Sequence, residues 1–336
     1  MSVDPGCPKR MVHGPCGGVR EDLSCEVVPA PCPFAHRGTV VPWARPVARH
    51  TPSSALLDGI AAGRPVVLTD LTLPPYDAGA LTSVAGVLAG SCTAVLVGEH
   101  NDQPDFPPTM MAALLRQNGM AGWLTLTCRD RNRVVLEQEL SSLAAAGADG
   151  VLCVTGDARA PGVRPEVTQV FDLDGTRLTA LAAERGLPVA VPESPTAPPR
   201  ALRPGRLVEK QRAGASVAVL NHVGSVAEVA AFLRAARAAG LTIPVVAAVA
   251  VYTDQVSAQV LQRFPGLHLD PAAIARVLAA PDPVEAGIAA AVEEARQLLA
   301  TGLVAGVNVS GLGSARGIED VARVKAEVGR RILEAA

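Results

Sequence analysis

The sequence predicts a (β/α)8 TIM barrel with a short N-terminal cysteine-rich metal-binding segment. Three observations carry that prediction. Eight apolar runs with strand character recur between residues 66 and 310 of the 336-residue chain. Segments with apolar residues at helical spacing separate most of them. Four cysteines and many Pro and Gly residues crowd the first 50 positions, where no helical period is visible. The expected division is therefore 1–50 for the cysteine-rich segment and 51–336 for the barrel.

The apolar runs are 66–71, 93–97, 123–128, 150–155, 188–191, 216–221, 244–251 and 306–310. They are apolar nearly throughout, as strands buried on both faces should be. The helical segments are 78–89, 109–117, 134–146, 176–185, 225–239, 284–300 and 317–334. Most end at or near a glycine, such as Gly90, Gly147 or Gly302, a residue that readily takes the left-handed turn closing a helix. Eight β/α units in about 280 residues match a barrel in count and size. A doubly wound open sheet is the runner-up. The Pro-rich stretch 192–204 reads as a long loop after the fifth strand.

Composition narrows the roles. The chain is 49% hydrophobic and 18% charged, enough apolar material for a sizeable core. Aromatics are only 3%, so Ala, Val and Leu must build that core. A net charge of −2 gives no electrostatic case for nucleic acid or an anionic membrane. No apolar run reaches the roughly 18 residues a membrane span needs. The N-terminus has polar residues and cysteines in place of an apolar signal core, so a cytoplasmic protein is expected. Disulfides are rare in that compartment, which makes Cys7, Cys16, Cys25 and Cys32 candidate metal ligands. Soft thiolates favour zinc, with His13 or His36 as substitute ligands. An iron–sulfur cluster is the metal alternative, and free reduced thiols are the plain reading. Cys92, Cys128 and Cys153 lie in or beside strand-like runs and read as small buried residues.

In a parallel α/β fold, side chains at the carboxyl ends of strands face the ligand. Thr127, Arg129, Asp130 and Asn132 follow the third run, and Asp157 follows the fourth. Arg129 and Asp130 also read as a pair that fixes the loop, and Asn132 as a helix cap. Asp70 and Glu193 are carboxylates at the ends of the first and fifth runs. Asn221 and His222 end the sixth; Asn308 and Ser310 belong to the eighth. Gly311-Leu-Gly313 follows, where barrels often bind phosphate, although a plain Gly-rich turn is the simpler reading.

Several of these segments together resemble the methylenetetrahydrofolate reductase family in order and spacing. They are Leu126-Thr-Cys-Arg-Asp-Arg-Asn-Arg133, Val154-Thr-Gly-Asp157, Val170-Phe-Asp-Leu-Asp174, Lys210-Gln-Arg-Ala-Gly-Ala215 and the pair Pro74-Pro75. The match covers most of residues 66–311. Cys7-Pro-Lys, Gly14-Pro-Cys-Gly-Gly18 and Cys25-Glu-Val resemble the small cysteine-rich domain attached to some members. The resemblance implies a reductase that passes a hydride from NAD(P)H, through FAD, to methylenetetrahydrofolate. It implies that Asp157 lies near the flavin ring and pterin and that Lys210 serves the cofactor phosphates. Thr127, Arg129, Asp130, Asn132, Gly311 and Gly313 are the further cofactor candidates; Asn221, His222 and Asn308 are the substrate candidates.

The chain departs from the family pattern at several strand ends. Leu71 stands where the family carries its acidic glutamate, three residues before Pro74. Asp70 is one position earlier, and a one-residue slip reverses the face of a strand. Asp70 is therefore the first candidate acid and Glu193 the alternative. Asn221 replaces the family's folate-binding glutamine; Val191 and Pro195 replace an aromatic and a histidine. Three functions stay open on this evidence. They are a methylenetetrahydrofolate reductase, a flavin-independent barrel reductase for another electrophilic nitrogen compound, and a non-catalytic folate- or flavin-binding subunit. A homo-oligomer or a partner subunit is compatible with each.

Overall fold

The computed structural model describes residues 3–45, 47, 53–160, 162–263, 267–311 and 313–334. Its strands are β1 (Val66–Leu71), β2 (Ala94–Val97), β3 (Gly122–Thr127), β4 (Gly150–Val154), β5 (Val189–Glu193), β6 (Val217–Leu220), β7 (Val245–Ala250) and β8 (Gly306–Ser310). All pair in parallel, in sequence order, and β8 returns to β1 to close the barrel. The helices are α1 (Ala55–Ala61), α2 (Ala78–Leu88), α3 (Pro108–Gln117), α4 (Arg133–Ala146), α5 (Gly175–Glu184), α6 (Arg203–Arg212), α7 (Val226–Ala238), α8 (Gln255–Arg263), α9 (Pro271–Leu278), α10 (Pro283–Ala300) and α11 (Ile318–Glu334).

Every expected strand is present, so the open-sheet alternative falls. The helical segments above have no counterpart of α1, α6, α8 and α9, which are only seven to ten residues long and so span few turns to show a clear period. The expected loop at 192–204 is shorter than predicted. Pro192 and Glu193 continue β5, and Pro204 sits in the first turn of α6, where its missing N–H costs nothing.

Strand side chains divide into two sets. Val66, Leu68, Ala94, Leu96, Trp123, Leu152, Ala190, Val217, Val219 and Val246 pack together inside the barrel, joined by Leu56 from α1. Val67, Leu71, Val95, Leu124, Val189, Val191, Ala218, Leu220 and Val307 pack outward against the helices. The single large aromatic of the interior, Trp123, is accommodated by Gly150. A Cβ there would come within 2.5 Å of the indole. This alternation decides which polar residue at each strand end faces the lumen.

Candidate functional site

At the carboxyl end of β1, Asp70 continues the inward series of Val66 and Leu68. Two residues of β8 meet it: Asn308 Nδ2 donates to Asp70 Oδ1 at 2.8 Å, and Ser310 Oγ donates to Oδ2. The Asn308 carbonyl oxygen is buried and has no partner among the described residues. It is a buried side-chain acceptor left unpaired beside Asp70. Leu71, at the family's glutamate position, packs outward with the helices. Lys325 of α11 approaches from behind, and its Nζ donates to the Asp70 backbone carbonyl at 2.6 Å. Burial presses the Lys325 ammonium down to about 8, against the pull of Asp70. Gly311 gives this lysine passage, since a Cβ there would lie 3.2 Å from Lys325 Cε. The absence of a Cβ at Gly311 is thus needed for packing here. Gly313 would meet only Val260 at 3.7 Å.

Around β2–β4 the expected residues gather, with some of the expected roles reversed. Thr127 Oγ1 donates to Glu99 Oε2 at 2.6 Å, and Arg131 pairs with Glu99 at 2.8 Å. Arg129 is buried and bonds Asp130 at 2.9 Å, the His100 carbonyl at 3.0 Å and the Asp157 carbonyl at 3.4 Å. Asp130 also takes two bonds from Arg159. Arg129 and Asp130 therefore brace the loops. Asn132 caps α4 by accepting from Val135 N at 3.0 Å. Beside them opens a cavity of about 280 Å³, lined by Glu99, His100, Arg131, Arg159 and Arg164 among others.

Asp157 ends the β4 loop. Its carboxylate takes part in no side-chain hydrogen bond among the described residues. Burial pushes its pKa above the usual carboxylate range, with Lys9 and Arg129 pulling the other way.

On β5 and β6 the expectation needs correction. Ala190 faces inward, so Glu193 faces outward. There it pairs with Lys210 at 2.9 Å and Arg203 at 3.5 Å, all three sheltered between strand and helix. Burial alone would raise the Glu193 pKa, but Lys210 and Arg203 hold it below the usual range. Glu193 is thus a structural anion, away from the lumen. Lys210 is engaged with it and with the Pro192 carbonyl, so it does not reach toward a phosphate. His222 also turns outward, bonding the His268 carbonyl at 2.6 Å and Glu294 at 2.8 Å. Asn221 extends the inward series of Val217 and Val219 and donates to Ser194 Oγ at 2.7 Å.

The N-terminal segment lies over this side of the mouth. Lys9 contacts Gly156, Glu26 contacts Ala158, and Arg203 holds the Pro15 and Cys16 carbonyls. Gly17 lies beside Ser194, where an added Cβ would sit 3.4 Å from Oγ. Among the described residues no group of three or more His, Cys, Asp or Glu is arranged to hold a metal ion. Cys7, Cys16, Cys25 and Cys32 are thus not gathered as a ligand set in this arrangement. Cys7, Cys25 and Cys32 are near enough to influence one another's charge, and backbone N–H groups reach the sulfurs of Cys7 and Cys32. Cys16 instead points to Glu26 at 3.5 Å, and burial pushes its thiol up to about 11.

Two features depart from the family's FAD site: Lys210, expected on the phosphates, is engaged with Glu193 and the Pro192 carbonyl, and the N-terminal segment contacts the turn that carries Asp157.

Four site residues escaped the sequence reading: Lys9, Glu26, Glu99 and Lys325. Lys325 had a signal. It occupies an apolar stripe with Ile318, Val321, Val328 and Ile332, where a charge is out of place. Glu99 stood just beyond an apolar run.

The chain matches the family model described as methylenetetrahydrofolate reductase over residues 91–323. No curated protein matches it. Among solved structures it is similar to an uncharacterized protein from Clostridium thermocellum that binds two copies of 5-methyl-5,6,7,8-tetrahydrofolic acid. The TM-score is 0.60 at 12% identity, covering 82% of this chain and 99% of that one. Oxaloacetate acetylhydrolase is similar at TM-score 0.46 and 14% identity, covering 77% and 80%. Tryptophan synthase from M. tuberculosis follows at 0.47 and 16%, covering 84% and 99%. At 12% identity, the first of these likenesses speaks to the barrel fold alone. The family match spans more than half of the sequence and reaches from just before β2 into α11, so the chain belongs to the methylenetetrahydrofolate reductase family.

Proposed function

We propose that the chain binds a methylene-folate in the barrel mouth and reduces it with a hydride from NAD(P)H. The observation that carries this reading is inward Asp70, held by the Asn308 side-chain N–H, with the unpartnered Asn308 amide oxygen beside it. Pterins present N–H donors and ring nitrogens, which suit an acceptor and a carboxyl side by side. Family membership favours a folate over other electrophiles. The methyltetrahydrofolate bound by the C. thermocellum protein points the same way.

In this reading Asp70 takes up a proton from solvent and delivers it to N10 as the N10–methylene bond breaks, leaving an N5 iminium. The hydride lost from the nicotinamide C4 joins the methylene carbon, giving the N5-methyl product and NAD(P)⁺. Asp157 orients the pterin, Asn221 adds an amide, and Thr127 with Glu99 closes the β2–β3 side. Arg131, Arg159 and Arg164 line the neighbouring cavity and would meet the cofactor's phosphates by exchanging their partners Glu99, Asp130 and Glu166. Zinc is a proposal for Cys7, Cys16, Cys25 and Cys32, which would have to move together to bind it. One equivalent in purified protein meets it; metal-free protein ends it.

NAD(P)H oxidation that depends on methylenetetrahydrofolate tests the reading, with the methyl product identified by mass spectrometry. No turnover combined with no binding of methyltetrahydrofolate by calorimetry rejects it. A second reading, a folate-binding subunit without turnover, draws on the outward Leu71 at the family's acid position. Binding without turnover selects it.

A further inference from the structure

We propose that the N-terminal segment is a wall of the active site and that Lys9 is a positioning residue for Asp157. The proposal rests on the folate reading only for the ligand's identity. Lys9 is 2% exposed although it belongs to a segment of turns and loops. Its Nζ donates to Glu26 Oε1 at 2.5 Å and to the Gly156 carbonyl at 2.6 Å. The same ammonium lies 5.4 Å from the centroid of the Phe171 ring. Glu26 Oε2 in turn accepts from Ala158 N at 3.0 Å.

The pair therefore grips the backbone on both sides of Asp157, the carbonyl before it and the amide after it. Position 156 admits only glycine. Its φ is +92°, and a Cβ would lie 3.0 Å from Arg129 Cβ and 3.2 Å from Thr127 Cβ. The carboxylate between these clamps is left without a hydrogen bond of its own among the described residues. A ligand can supply one.

Three anchors outside the clamp hold the segment in place. Val12 N donates to Asp174 Oδ2 at 2.9 Å, Arg10 pairs with Asp172 at 2.9 Å, and Arg203, itself 1% exposed, bonds the Cys16 carbonyl at 2.8 Å. A buried Lys–Glu pair is costly to desolvate and is often no more stabilising than apolar residues of the same size. Stability alone gives little reason for this pair to be buried here. Fixing the Asp157 loop is a reason of another kind. The pair is neutral as a whole, so it fixes the loop without adding a net charge to the mouth.

The test uses the full chain and the double variant Lys9→Met/Glu26→Gln, which keeps volume and removes both charges, so that folding is preserved. Lys9→Arg is the conservative partner. Amide exchange at Asp157 and Ala158 is expected to quicken about tenfold in the double variant, with thermal midpoint close to wild type. Its kcat for methylene-folate should fall about 10²-fold with KM for NAD(P)H unchanged, and Lys9→Arg should recover part of the loss. Unchanged exchange at these two amides overturns the proposal. So does an unchanged kcat alongside faster exchange, which would make the clamp merely structural. If the wild type shows no turnover, the reductase reading fails separately, and exchange with its recovery in Lys9→Arg decides the role of Lys9.

Discussion

Asp70 and Glu193 each stand at the carboxyl end of a strand in the same barrel, and their surroundings make them opposites. Asp70 points inward and meets two neutral donors, Asn308 and Ser310. Glu193 points outward and meets two cations, Arg203 and Lys210. A carboxylate with neutral partners in the mouth is available to a ligand. One enclosed with two cations holds a strand to a helix. The difference comes from one residue of strand parity. Chemical type and strand-end position, the two features visible in sequence, do not separate them.

The largest effect that tests this contrast is on stability. Glu193→Gln leaves Arg203 and Lys210 buried without their anion, and should cost about 3–5 kcal/mol in denaturant unfolding. Because the native carboxyl is held below its ordinary pKa, its contribution is present above the unfolded value and is lost as pH falls through the native one. The variant should therefore lose part of the wild type's acid sensitivity. A folded, stable Glu193→Gln with no activity would invert the comparison and return Glu193 to the chemistry.

Asp70→Asn should do the reverse. Reductase turnover should drop about 10²-fold, the size of a general-acid contribution, while the thermal midpoint moves little. Turnover at the wild-type rate would remove Asp70 from the reaction.

Lys325 sharpens the Asp70 side through pH. Below about 8 the native and unfolded chains both hold its proton, and the native state bears the full cost of the buried charge. Between about 8 and 10.5 only the unfolded chain keeps the proton, so this group makes stability rise with pH. Lys325→Met should flatten that rise, read from denaturant midpoints at either end of the window. Parallel curves for variant and wild type would refute the assignment.

The smallest effect concerns Asn132. As a helix cap, Asn132→Ala should cost about 1 kcal/mol and leave the kinetic constants unchanged. A change in KM for either substrate, with stability intact, would restore it to the site.

FAD offers a check on the covered side of the mouth. The purified chain should be colourless, and titration should leave FAD fluorescence unquenched. Stoichiometric quenching would mean that the N-terminal segment moves aside.

Much of this site was legible in the residues. The apolar runs of β1–β8 announced themselves, and the polar residues after β3 and β4 marked the mouth. Direction was the hidden part. Strands buried on both faces carry little alternation, so Val189-Ala-Val-Pro-Glu193 offers no clue to which side Glu193 takes. A half-exposed strand would have shown it. Arg129 and Asn132 had two readings each, and their hydrogen-bond partners chose the structural one. Lys9 lay inside the Cys7-Pro-Lys motif, but its contact could not be read there, because its partner Gly156 is 147 positions away.

The order of β and α units, the barrel and the location of the mouth followed from the sequence by itself. Hydrophobic periodicity and turn residues act over short windows, and they suffice for that. Which polar groups share the mouth was decided only in three dimensions. Asp70 meets Asn308 across the barrel's closing seam, Glu193 turns to α6, and Lys9 reaches Gly156 from the far end of the chain. Strand parity and long-range closure set those encounters, and no local window contains them.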